Sequence, residues 1–271
     1  MAILKASTFG VGELIKDAIY RGSRDFIVGL GGSATNDAGL GMLRALGFKF
    51  LDNQKNEVVF PKDLDKIVAI DKTYVLKELE KCNFKIACDV NNPLYGKNGA
   101  TYVYGKQKGA STEVLDHLEN QLKAFADIVD DGLKYSKQAG SGAAGGLGFG
   151  FLAFLNAELK SGIDIVLEAV NFKEKIKDAD FVITGEGKID TQSAMGKVIS
   201  GIGSLCKKQG VPCIALSGNT EDTDSSLHEI GITSYFSILN SPMSLYDAMN
   251  KDRTLKLIEK EVEQIFRLIN Y

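Results

Sequence analysis

The sequence predicts an α/β fold with a parallel sheet, and three observations carry that expectation. From about residue 176, strand-like and helix-like stretches alternate: strands at 181–187, 211–218 and 234–239, helices at 193–209 and 225–230, and a long helix opening at Ser241-Pro242. Near the start, a β-prone apolar run, Phe26 to Leu30, stops at Gly31-Gly32. The polar residues Ser33, Thr35, Asn36 and Asp37 follow, then a helical run with Leu40, Leu43 and Leu46 that closes at Gly47. The acids Asp37, Asp89, Glu186 and Asp190 all fall at or just after predicted strand ends. In an open α/β sheet those ends share one edge, where ligands bind.

Taken in order, residues 11–21 have helical spacing, with Leu14, Ile15, Ala18 and Ile19 on one face and Gly22 as the stop. After the strand and glycine turn, 48–52 reads as a strand, 57–60 as strand-like and 74–80 as a short helix. A buried strand is expected at 84–90, ending in Asp89, followed by a turn-rich stretch to Gly109. Ser111 and Thr112 cap an amphipathic helix over 112–137. Residues 140–150 carry six glycines and lead into an apolar helix through Leu159. That glycine run is too apolar for a flexible linker, so it is expected to be packed or ligand-facing. Residues 1–175 show no clean alternation, which places a division into domains 1–175 and 176–271.

The chain has 271 residues, 44% of them hydrophobic and 25% charged, with a net charge of −3. That composition is globular, and the absence of a dense Lys/Arg tract argues against nucleic acid or an anionic membrane as partner. No apolar run approaches the ~18 residues that span a bilayer, and the first residues do not read as a signal peptide. A cytoplasmic protein is expected. Cys82, Cys88, Cys206 and Cys213 form no C-x-x-C pair, and His117 and His228 are the two histidines. Reduced buried thiols and surface histidines are expected, with neither a zinc site nor a Ser/His/Asp triad.

The turn from Gly31 to Asp37 presents backbone N–H groups and a helix start, an arrangement suited to an anion. Gly29-x-Gly31-x-x-Ala34, with Asp52 closing the next strand, also permits an NAD(P)-dependent oxidoreductase. Asp37 at the helix start opposes a pyrophosphate there. The Gly140, Gly142, Gly145 spacing follows a helix and fails the same fingerprint. Gly196-Lys197 lacks the Ser/Thr and glycine spacing of a P-loop. Several carboxylates on one edge repel one another unless a divalent cation sits among them, as in transfer from a magnesium nucleotide. One of them could accept a proton from an attacking hydroxyl. Lys188 and Lys197 could neutralise phosphate oxygens.

Several blocks resemble the bacterial glycerate kinases that use ATP. They are residues 6–15, Gly31-Gly-Ser-Ala-Thr-Asn-Asp37, Cys88-Asp-Val-Asn-Asn-Pro-Leu94, Gln107-Lys-Gly-Ala110, 142–148, 183–190 and Gly196-Lys197. The resemblance implies two α/β domains: a flavodoxin-like parallel-sheet domain, of which 176–271 would be the C-terminal half, and an inserted mixed α/β domain, 1–175. It implies transfer of the γ-phosphate of ATP, with Mg2+, to a hydroxyl of D-glycerate. Asp37, Asp190 and Lys197 are then the expected catalytic residues. Gly31, Gly32, Ser33, Asn36, Asp89, Glu186 and Lys188 are expected at substrate or phosphate, with Asp89 and Glu186 also as metal ligands. Members of that family begin with an Ala-Pro-Asp-Ser-Phe-Lys-Gly-type strand that this sequence lacks, and Lys106 stands where they usually have proline. A truncated or split enzyme is therefore expected, partnered by a complementary N-terminal fragment or a second copy, and otherwise a non-catalytic remnant.

Overall fold

The apolar run before the glycine turn does form a strand, and it organises the first half of the chain. In the computed structural model, which describes residues 2–129, 134–190, 198–221 and 226–271, two compact units appear, Met1–Gly162 and Ile163–Tyr271. The first opens with α1 (Phe9–Tyr20), β1 (Asp25–Gly29), α2 (Leu40–Ala45), β2 (Lys49–Leu51), β3 (Ala69–Asp71) and β4 (Asn83–Ala87). It continues through α3 (Ala100–Tyr104), α4 (Thr112–Val129), α5 (Ala143–Leu155) and β5 (Glu158–Lys160). β1 pairs in parallel with β4, in the register Asp25↔Asn83 to Gly29↔Ala87, and β4 pairs in parallel with β5. β2 and β3 form a separate antiparallel pair.

Some boundaries depart from the periodicity. Residues 57–60 form no strand; Glu57 makes a single bridge to Leu51, and Pro61 then starts a 3-10 turn over Pro61–Lys66. The helix expected at 74–80 is a 3-10 turn over Lys77–Lys81. The apolar helix stops at Leu155, where Asn156 takes a left-handed conformation, so the chain turns back and adds β5 to the sheet. The core of this unit is aromatic: Phe125 lies edge-on to Phe50 and Phe149 and stacked with Phe154. Such pairs add ~0.5–1.5 kcal/mol each beyond the area they bury.

The second unit alternates as expected. α6 (Gly162–Ala169), which begins on the last residue of the first unit, and α7 (Phe172–Lys175) precede β6 (Val182–Ile189), α8 (Val198–Gln209) and β7 (Cys213–Thr220). α9 (Ser226–Glu229), β8 (Ser234–Ser237), α10 (Leu245–Ala248) and α11 (Lys251–Ile269) follow. β6, β7 and β8 are parallel and adjacent in that order. Ile199, Cys206, Cys213, Ala215 and Leu227 are buried between helices and sheet. The last helical stretch does not open at Ser241-Pro242. Ser244 caps α10 by accepting from the Asp247 N–H, and Asn250 caps α11 by accepting from the Arg253 N–H, each at 3.1 Å. The expected domain division at 175/176 falls inside this second unit. No described helix is long and apolar enough to cross a membrane.

Candidate active site

Leaving β1, the chain makes one more ladder bond, Leu30 N–H to Ala87 O, and departs from the sheet at the C-terminal ends of its strands. The loop that follows is bolted at its far end by Asp37. Its Oδ2 accepts from Thr8 N at 2.8 Å, Thr8 Oγ1 at 2.9 Å and Gly41 N at 3.2 Å, and Oδ1 accepts from Gly39 N at 3.2 Å. Thr8 Oγ1 in turn accepts from Met42 N, which ties the start of α1 to α2. Asp37 is 1% exposed. Burial raises its pKa, and the hydrogen bonds from Thr8, Gly41 and Gly39 oppose that rise. With both oxygens taken, this carboxylate holds backbone in place, whereas a proton acceptor needs an oxygen facing the substrate.

The start of α5 supports the loop from beneath. Ala144, Gly145 and Gly146 all adopt left-handed conformations there, so that backbone meets backbone. Ala38 N donates to Gly145 O at 3.1 Å, and Thr35 Oγ1 donates to Ala144 O at 3.4 Å. The glycine-rich stretch is thus packed against the loop, and Ala144 also lines a cleft beside it. Asn36 is wholly buried, its Nδ2 donating to Thr101 Oγ1 at 3.1 Å while its Oδ1 has no partner among the described residues.

Lys108 reaches the loop from the turn after α3. Its ammonium donates to Ser33 Oγ at 3.0 Å and to Thr35 O at 2.8 Å. Burial pushes its pKa down to about 8, with Asp37 pulling the other way. Lys108 stands in the Gln107–Ala110 block that carries the resemblance, but its role is not legible in the linear sequence, because the groups it touches lie over seventy positions earlier. Beside the loop is a cleft of about 270 Å³, lined among others by Ser7, Val28, Gly31, Ser33, Thr35 and Ala144. Gly31, Ser33, Asn36 and Asp37 are thus brought together around one strand end.

Of the remaining expected acids and lysines, Asp89 lies at the same sheet edge that the loop leaves, since β4 runs parallel beside β1, and the other described ones lie in the second unit. Asp89, exposed just past β4, accepts from Gly162 N at 2.9 Å. In the second unit Glu186 is a strand residue as expected, and β6 runs on past its expected end so that Lys188 is one too, opposite Ser217 and Asn219 of β7 respectively. Lys188 pairs with Glu221 at 2.6 Å and Asp190 at 3.6 Å, and the hydrogen bond it donates to Glu221 above all raises its pKa. Lys197 lies outside the described residues. Among the described residues no three His, Cys, Asp or Glu side chains converge as a metal site.

The dinucleotide alternative fails on context. Residues 30–38 form a loop where the fingerprint needs a helix, and β2, which precedes Asp52, belongs to another, antiparallel sheet. Asp52 itself caps a turn by accepting from the Gln54 and Asn56 N–H groups.

Residues 1–270 match the model of the glycerate kinase family. A glycerate kinase of Bacillus cereus is 42% identical over 270 residues, covering 98% of this chain and 71% of its own length. A glycerate 2-kinase of Escherichia coli K12 is 44% identical over 248 residues, covering 90% of this chain and 65% of its own. A crystal structure of a candidate glycerate kinase 2 from Salmonella typhimurium LT2 superposes with a TM-score of 0.82 at 36% identity, covering 99% of this chain and 71% of that one. The chain therefore spans about two thirds of the length of these relatives.

Proposed function

The chain belongs to the glycerate kinase family of enzymes, and on that premise we propose that it transfers the γ-phosphate of ATP to a hydroxyl of D-glycerate. One observation carries the placement of the site. Cβ atoms built on Gly29, Gly31 and Gly32 meet nothing within 4 Å, and the N–H groups of Gly31, Gly32 and Ser33 donate to nothing among the described residues. Packing does not call for glycine at Gly29 or Gly31, whereas close approach of an anionic ligand to the backbone does. The donors and the open space fit a phosphate or carboxylate.

In this reading Gly31, Gly32 and Ser33 bind the anion, and Asn36 with Asp37 holds the loop in shape. Asp190 accepts the hydroxyl proton, and Lys188 and Lys197 offset phosphate charge. Mg2+, when bound, would neutralise phosphate oxygens; Asp89 in the first unit and Glu186 in the second are each proposed, separately, as a carboxylate that could hold it. Residues 176–271, within the second unit, are read as the C-terminal half of a flavodoxin-like domain, residues 1–175 as holding most of the inserted one, and the reaction as cytoplasmic.

The test is glycerate-dependent ADP formation, measured with the chain alone and with the remaining third of a relative supplied as a separate polypeptide. Turnover in either arm is expected. None in both arms, under conditions where the intact relative is active, would overturn the reading and leave a non-catalytic remnant. Gly31→Ala separates ligand approach from folding. Its melting temperature is expected to stay within about 2 °C of the parent, since the added methyl meets open space, an effect of at most ~0.5 kcal/mol. Turnover is expected to fall by roughly tenfold or more.

A further inference from the structure

We propose that Lys108 is an anion-binding residue of this site, its ammonium moving from the loop to an anionic oxygen of the ligand, either the carboxylate of glycerate or a phosphate of the nucleotide. The inference rests on the reading above. Three features of the geometry point to it.

Lys108 Nζ makes two hydrogen bonds, both to neutral acceptors, Ser33 Oγ and Thr35 O, so one of its three donors is left over. No carboxylate lies within ion-pair distance of it among the described residues, and Asp37, which acts on it electrostatically, has both oxygens engaged by Thr8, Gly39 and Gly41. A half-buried ammonium without a counter-ion is unfavourable unless a ligand supplies the charge. Finally, its two acceptors both line the cleft beside the open glycine turn, which sets the cation at the rim of the space a ligand would enter.

Burial already holds this lysine near pKa 8, so its charge is sensitive to pH in the ordinary range. Asp37 is the charged group acting on it; Ser33 and Thr35 stay neutral. The sign follows from the proton count. Anion binding needs the protonated amine, which is lost as pH rises through about 8, so affinity should weaken above that pH, by up to about tenfold per unit. Below about pH 7 the dependence on this group should flatten.

The experiment is calorimetric titration of the parent chain, Lys108→Met and Lys108→Arg with D-glycerate and, separately, with ATP, at pH 7 and pH 9. Lys108→Met is expected to weaken one of the two anions by about 10- to 100-fold at pH 7, the range of a charge-assisted hydrogen bond. Loss of glycerate identifies the carboxylate as the partner, and loss of ATP identifies a phosphate. Lys108→Arg should restore most of the affinity and keep it at pH 9, where the parent weakens. The melting temperature of Lys108→Met should equal or exceed that of the parent, because an uncompensated charge has been removed. If the parent binds and Lys108→Met binds both anions equally well, the inference on Lys108 fails alone. If the parent binds neither anion, the functional reading fails and the inference with it.

Discussion

Asp37→Ala should destabilise the N-terminal unit by roughly 4 kcal/mol or more, because the buried donors on Thr8, Gly39 and Gly41 lose their acceptor at ~1–3 kcal/mol each. Those donors come from the starts of two helices, so the loss loosens the α1–α2 pairing and, through it, the loop. Urea denaturation at pH 7 checks the magnitude. Asp37→Asn keeps the shape but turns an N–H toward a donor, and is expected to cost less, about 1–3 kcal/mol. The outcome also separates two roles for this acid. A chain that keeps its stability while losing turnover would make Asp37 a proton acceptor; loss of both in proportion makes it the anchor that its hydrogen bonds describe.

Gly145→Ala is the second large effect. Gly145 has φ +71°, and a Cβ built on it lies 2.0 Å from the backbone carbonyl oxygen of Thr35. The left-handed conformation alone costs about 1–2 kcal/mol for a residue with a side chain. The overlap is with backbone, which cannot rotate away, so the loop must shift or α5 must unwind at its start. A total of about 4 kcal/mol or more is expected. Gly109→Ala is the matching control: φ is +87° there, but nothing lies within 4 Å, so only the conformational cost of ~1–2 kcal/mol should be seen. Thermal melts of both variants, compared with the parent, measure the difference directly.

How much of this was legible beforehand depends on how local each cause is. β1, β4 and the parallel trio β6, β7 and β8 are encoded in short apolar runs, and they lie close to where periodicity puts them. β5 is three residues long and half exposed; it is a strand because β4 offers it an edge, which no local pattern states. The glycine turn was readable as an anion-friendly helix start. The helix begins later than expected, however, since Ala38 and Gly39 are held left-handed and Asp37 is drawn back to Thr8. Gly145 was visible as a glycine, but its reason, a contact with Thr35, spans more than a hundred positions. The role of Lys108 was the most hidden: the residue sits in the Gln107–Ala110 block of the resemblance, but its partners, Ser33 and Thr35, are far off in sequence. The acids of the second unit were placed by strand-end logic; Glu186 lies in the strand as expected, and the longer β6 brings Lys188 inside it as well.

The central claim is that the open glycine turn after β1, with Ser33 and Lys108, receives the anionic end of a substrate. A crystal structure of the chain with D-glycerate and a non-hydrolysable ATP analogue tests it most directly. An anionic oxygen of one ligand is predicted within about 3 Å of Lys108 Nζ, over the Gly31 backbone. Both ligands bound elsewhere, with Lys108 still donating to Ser33 and Thr35, would contradict it.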